Sequence, residues 1–280
     1  MKKYFDKLLF GTAGVPLSTP KKSSVAGIIR VRELSLDAME LEFVRGVKMS
    51  EESALEVKKT AEENNIVLTV HAPYYINLNS DDPAKIRDSK ERILQSARIG
   101  FLAGAFSVVF HSGYYGKDTP GKAYHRIKEA VKEIVMKIRD EGLDIWLRPE
   151  TMGGLAEFGD LEEVISLSEE IEGILPAIDF AHLHARSIGK YNSYEEVREI
   201  LSMIERRLGR EALKTMHIHM SGIEYGRRGE VRHLNLEESD LNYKEILRAL
   251  KDFKVAGVII SESPNIEEDA ILMKKTYENL

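Results

Sequence analysis

Short runs of Val, Ile, Leu and Phe alternate along the chain with longer segments whose apolar residues recur three and four positions apart. A short run that is apolar throughout fits a strand buried on both faces, as in a parallel sheet. Apolar positions three and four apart fit a helix with one buried stripe. Strands are predicted over residues 7–10, 39–44, 66–71, 107–111, 144–147 running on to 150, 175–179, 215–219 and 256–262. Helices are predicted over 23–33, 51–64, 83–102, 120–141, 161–171, 194–208, 243–253 and 266–277, with Ser50 placed to cap the second. Eight strand–helix pairs in 280 residues predict an α/β fold, a closed (β/α)8 TIM barrel over residues 1–280 as a single domain. An open doubly wound sheet has less support, because no Gly-rich phosphate loop follows a strand.

Composition narrows the chemistry. The chain has no cysteine, so disulfides and thiolate metal sites are excluded and any metal must be held by His, Asp and Glu. A net charge of -6 gives no strongly basic nucleic-acid footprint. No stretch approaches the ~18 apolar residues of a membrane span. The N-terminal stretch Met1-Lys-Lys-Tyr-Phe-Asp-Lys7 is basic but leads into no long apolar run, so no signal peptide is expected. The expectation is a cytoplasmic protein that does not act at a membrane.

In a barrel of this kind, chemistry gathers where the strands end. His71 ends the third predicted strand and His111 the fourth; Glu150 follows the fifth. Asp179 ends the sixth, with His182 three residues on. His217 lies in the seventh, His233 in the long loop after it, and Glu262 ends the eighth. Each residue alone has an ordinary structural explanation, such as a helix cap or a hydrogen-bonded core group. Together they would bring carboxylates and imidazoles from six successive strands to one rim, which is costly without cations. Imidazole plus carboxylate suits zinc, and also manganese or iron. His184 and His219, two residues beyond expected ligands, are read as orienting groups or packing residues, and His125 as a surface residue.

The segment His71-Ala-Pro-Tyr-Tyr-Ile-Asn-Leu78 resembles the His-Ala-Pro-Tyr-Leu-Ile-Asn-Leu signature of the endonuclease IV family of apurinic/apyrimidinic endonucleases. Val109-Phe-His-Ser-Gly113, Glu150-Thr-Met-Gly153, Ile178-Asp-Phe-Ala-His182, His217-Ile-His-Met-Ser221 and Ser261-Glu-Ser-Pro264 resemble its later motifs in order. The resemblance implies two or three ions, zinc or manganese, and hydrolysis of the DNA backbone 5′ of an abasic site. His71, His111 and Glu150 would hold the first ion. Glu150 would bridge to a second, completed by Asp179, His217 and Glu262, while His182 and His233 would help hold a third. Glu150, His71 and His111 would thus be the catalytic set. Tyr74 and Arg232 would contact damaged duplex DNA, and the family suggests a monomer.

The match has departures. Where the family has Asp-Arg-His for the third ion, this chain has Val231-Arg232-His233. Valine cannot ligate, so the third site is weak or empty unless Glu230 moves in. The first strand leads into Gly11-Thr-Ala-Gly14 rather than the family's His-x-Ser loop. Arg186, Lys190, Arg227, Arg228 and Arg232 cluster in loops expected on the metal rim and offer a phosphate-binding face. Glu150, Asp179, His217 and Glu262 also look like the metal set of xylose-isomerase-like sugar isomerases and epimerases, which use one divalent ion. That alternative leaves His71, His111, His182 and His233 without a role. A barrel that binds damaged DNA without turnover is a third possibility.

Overall fold

The apolar runs form the staves of a barrel. A computed structural model describes residues 4–280; Met1, Lys2 and Lys3 of the basic N-terminal stretch lie outside the described residues. The staves are β1 (Leu8–Ala13), β2 (Ala38–Glu42), β3 (Val67–His71), β4 (Ser107–Phe110), β5 (Trp146–Pro149), β6 (Ala177–Asp179), β7 (Met216–Met220) and β10 (Gly257–Ser261). All pair in parallel, in the order β5-β4-β3-β2-β1-β10-β7-β6. Parallel bridges Leu147↔Ile174 and Glu150↔Ala177 carry the β5 side onto the β6 side and close the ring.

Helices α1 (Ser24–Glu33), α2 (Glu51–Asn64), α3 (Pro83–Leu102), α4 (Pro120–Asp140), α5 (Leu161–Glu170), α7 (Tyr194–Leu208), α8 (Tyr243–Asp252) and α9 (Glu267–Asn279) return the chain between staves. Their starts are written locally. Ser23, Ser50, Asp82, Thr119, Asp160 and Ser193 each accept a first-turn N–H, and Pro83 and Pro120 open α3 and α4. On α4, Ala123, Ile127, Ala130, Val131, Ile134 and Ile138 make the buried stripe, each large aliphatic contributing about 1.5–3 kcal/mol on burial.

Two elements go beyond the predicted alternation. A short helix, α6 (Phe180–Arg186), leaves β6 directly, with Asp179 as its N-cap. After β7 the chain folds into an antiparallel hairpin, β8 (Gly222–Gly226) and β9 (Gly229–Leu234), in place of the expected loop. The hairpin docks onto the loop after β5: Glu230 N–H donates to Gly153 O and Leu155 N–H to Arg228 O. Both additions sit at the C-terminal end of the barrel and carry site residues.

Candidate metal centre

Strand ends deliver the predicted groups to one cavity of about 420 Å³, lined by His71, His111, His182, Glu230, His233 and Glu262 together with Tyr74, Tyr114, Met152 and Glu157. Glu150 is fully buried beneath it and joins two groups. Its Oε2 lies 3.4 Å from His71 Nε2 and 3.0 Å from His111 Nε2. Its Oε1 lies 2.8 Å from His219 Nδ1 and 3.6 Å from His182 Nδ1. Three sets of potential ligands result at the mouth: His71, His111 and Glu150; Glu150, Asp179, His219 and Glu262; and His182, Glu230 and His233; a fourth, Glu40, His217 and His219, lies one layer deeper.

Several separations are 3.3–3.4 Å: His182 Nε2–Glu230 Oε2 3.3 Å, His219 Nδ1–Glu262 Oε1 3.3 Å and His71 Nε2–Glu150 Oε2 3.4 Å. Ligands held ~2.0–2.1 Å from an ion at tetrahedral angles are about 3.3 Å apart. Glu150 Oε2 and Asp179 Oδ2 are buried and accept no hydrogen bond, which is expensive for oxygens with no cation to meet. The donor set therefore fits divalent metal. Three rings already have their tautomer set: Nδ1 of His71, His182 and His233 faces the carbonyls of Ala72 (2.8 Å), Thr151 (2.9 Å) and Glu262 (3.1 Å). Each Nε2 is thereby left to face the cluster.

Local structure explains the third set. In a regular strand, residues three apart point to opposite faces. Glu230 and His233 share a face because β9 carries a bulge: Tyr225 pairs with Glu230 and Glu224 with Arg232, so Val231 is the extra residue. Val231 is 61% exposed, and Glu230 supplies the carboxylate the tripeptide lacks. Gly153 gives Glu230 room, since a Cβ there would stand 2.6 Å from Glu230 Oε2 and 3.2 Å from His182 Cδ2. Asp179 serves twice: Oδ1 caps α6 through His182 N at 2.7 Å, and Oδ2 faces the cluster.

The electrostatics are those of a site built for positive charge. Burial raises the Glu150 carboxyl, but His219, His111 and His71 outweigh it and hold it well below the usual range. Burial lowers His71 and His182, yet Glu150 beside the first and Asp179 and Glu230 beside the second bring both up to about 10. His233, opposed by burial but raised by Glu230 and Glu262, rises to about 9. Burial lifts Asp179 to about 6.

One expected ligand is corrected. His217 does not reach the mouth. Along β7, residues 217 and 219 point inward alternately with their neighbours, and the register pairs Asp179 with His219 but Ala177 with His217. His219 therefore takes the place expected of His217, which sits one layer deeper with Nδ1 2.8 Å from Ser107 Oγ. His184, buried, meets Lys190 O and Asp240, away from the cluster, and His125 is exposed on α4. Tyr74, half exposed, stacks on His111 with centroids 5.3 Å apart, at the rim as expected.

The basic face is partly committed. Arg232 pairs with Glu224 at 2.6 Å and is not part of the cavity wall. Arg186 braces the loop after β5 through the carbonyls of Gly154 and Glu157 and the Tyr115 hydroxyl. Arg227 and Arg228 remain exposed at the hairpin turn. Glu40 and Glu42 on β2 are site neighbours that the motifs did not single out. Their signal is two acids at alternate positions in a run, Ala-Met-Glu-Leu-Glu, whose other residues are all buried. Burial, then the charge of Glu40, pushes Glu42 up to about 8.

A closed (β/α)8 barrel with imidazoles and carboxylates gathered at its C-terminal mouth defines the class, an enzyme barrel with a candidate multinuclear metal centre. Residues 28–276 match the xylose isomerase-like TIM barrel family, and the chain belongs to it. A protein of Methanocaldococcus jannaschii described as uncharacterized, MJ0133, is 46% identical over 98% of both chains. A probable endonuclease 4 of Mycoplasma genitalium is 26% identical over 78% of this chain and 74% of its own. Among solved structures, a D-tagatose 3-epimerase-like protein superimposes with a TM-score of 0.74 at 19% identity, over 97% of this chain and 96% of its own. Endonuclease IV of Thermus thermophilus gives 0.73 at 20%, over 96% and 98%. Both structural likenesses speak for the fold alone.

Proposed function

We propose that this barrel is a metal-dependent phosphodiesterase of the endonuclease IV type, acting on duplex DNA at abasic sites. The observation that carries this is the number of ligand sets. A sugar epimerase with one ion needs only Glu150, Asp179, His219 and Glu262. It leaves His71, His111, His182, Glu230 and His233 converged on the same cavity without a task. Relatives named endonuclease 4 support the same choice.

Two or three divalent ions, zinc by donor type, would neutralise the phosphodiester and make water acidic enough to attack at neutral pH. The protein's residues do the rest. His71, His111 and Glu150 would hold one ion, and Glu150, Asp179, His219 and Glu262 another. His182, Glu230 and His233 close the rim. Tyr74 presents a half-exposed ring beside His111, a surface for stacking where an abasic nucleotide leaves the helix. Arg227 and Arg228 at the hairpin turn meet backbone phosphates.

The test is cleavage of a labelled duplex carrying one abasic-site analogue, with chelator and after zinc or manganese is restored. Metal-dependent cleavage immediately 5′ of the lesion supports the proposal. Fully metallated protein that leaves the duplex intact but interconverts ketoses would establish the epimerase reading, which the four-ligand set also fits.

A further inference from the structure

The ring of His219 is held differently from the other rings at the mouth. His71, His182 and His233 have their far nitrogen, Nδ1, against a backbone carbonyl. His219 is reversed: Nδ1 faces Glu150 and Glu262, and Nε2 points into the barrel. Among the described residues no carbonyl meets that nitrogen; Glu40 Oε1 lies 2.9 Å from it. Glu40, His217 and His219 are all fully buried.

Glu40 is itself held from two sides. The Thr69 hydroxyl donates to its Oε2 at 2.7 Å, from the residue paired with it across β2 and β3. His217 Nε2 lies 3.0 Å from the same oxygen, and His217 Nδ1 meets Ser107 Oγ at 2.8 Å. We infer that Glu40 is a positioning residue for the metal centre: its carboxylate keeps the His219 proton on Nε2 and so presents the Nδ1 lone pair to the ion held with Glu150, Asp179 and Glu262. Thr69, His217 and Ser107 hold Glu40 in that task.

The three deep groups also have the composition of an ion site. The two imidazole contacts with Glu40 are short but off the hydrogen-bond axis. One feature favours the positioning role. A neutral His219 has one lone pair, so ligating both at the mouth and below would require its imidazolate. Carboxylate behind a ligating imidazole is a general way to fix its tautomer and raise its basicity, and losing it weakens metal affinity ~10–100-fold.

This inference rests on the mouth being a metal centre, and the test separates the two. Zinc is titrated against a competing chelator into metal-stripped wild type, Glu40→Gln and Glu262→Gln, and 15N spectra of histidine-labelled, zinc-loaded protein report the ring tautomers. The expected result is zinc binding weakened ~10–100-fold in Glu40→Gln, with His219 in wild type protonated on Nε2 alone and that signature lost in the variant. Thr69→Val, close in shape and keeping Glu40, shows a smaller shift in the same direction and serves if Glu40→Gln does not fold. Zinc uptake that Glu262→Gln lowers and Glu40→Gln does not would overturn the inference and leave the metal centre standing. Loss of one whole zinc equivalent on His217→Leu would also overturn it, placing an ion on the deep groups. Failure of wild type to bind zinc would overturn both.

Discussion

At the mouth of the barrel, His71 and Glu150 stand 3.4 Å apart, His182 and Glu230 3.3 Å, and His219 and Glu262 3.3 Å. One layer below, Glu40 stands 2.9 Å from His219 and 3.0 Å from His217, and hydroxyls of Thr69 and Ser107 fill the remaining positions at 2.7 and 2.8 Å. The same two side-chain types build both layers. Hydroxyl donors are what differ. The deep layer has them on Glu40 Oε2 and His217 Nδ1, although Glu40 Oε1, His217 Nε2 and His219 Nε2 complete no hydrogen bond among themselves. The upper layer leaves Glu150 Oε2 and Asp179 Oδ2 without donors, so cations brought from outside would stabilise it.

The largest effect separating the layers is expected at Glu150. Glu150→Gln replaces one of the two oxygens shared by two ligand sets with an amide nitrogen and removes the charge, so metal-dependent turnover should fall at least ~10²–10³-fold, with bound metal lowered by more than one equivalent. Full turnover and full metal content would end its bridging role. Next come the two histidines of β7. His219→Ala should lose an ion from the Asp179 set, whereas His217→Leu should keep the ion count and only weaken binding; elemental analysis after dialysis reads this directly. Equal ion loss in both variants would erase the distinction between layers.

The third set gives a smaller contrast. Glu230→Gln should weaken one ion about tenfold or more. Val231→Asp should change metal content not at all and stability by no more than about 0.5 kcal/mol, because residue 231 is the outward residue of a bulge. A rise in metal content in Val231→Asp would mean that Glu230 does not ligate.

The smallest effect is in the pH dependence. His71 and His182 titrate near 10 and His233 near 9 in the metal-free protein, raised by neighbouring carboxylates against burial. For groups raised in the fold, the stabilisation is complete below the unfolded value of ~6.5 and lost as pH climbs through the folded values. Metal-free protein should therefore lose stability between about pH 6.5 and 10. Zinc must displace the same protons, so its apparent affinity should rise over that interval. Thermal melts with chelator and zinc titrations at both ends of the range check the two signs.

Much of this was written in the chain. Buried parallel strands leave apolar runs, and the ends of β3 and β6 and the positions just past β4, β5 and β10 could be counted to His71, Asp179, His111, Glu150 and Glu262. Depth was harder to read. His217 and His219 lie on one face of β7, and only the register against β6, which pairs Asp179 with His219, decides which reaches the rim. The motif spacing favoured His217 because spacing carries no information about strand tilt. Glu230 was legible only as a neighbour of the expected position; the bulge that turns it inward depends on the pairing of β8 with β9. Glu40 belongs to none of the motifs, which begin at His71, although an acid in a buried strand is itself a signal.

The central claim is that the mouth is a multinuclear metal centre and the layer beneath it is its support. Anomalous diffraction at the zinc edge from zinc-loaded crystals tests it most directly. Peaks are expected at all three mouth sets, sharing Glu150 between two, and none between Glu40 and His217. A single peak among Glu150, Asp179, His219 and Glu262, with the other histidines unligated, would contradict it and describe a one-ion barrel.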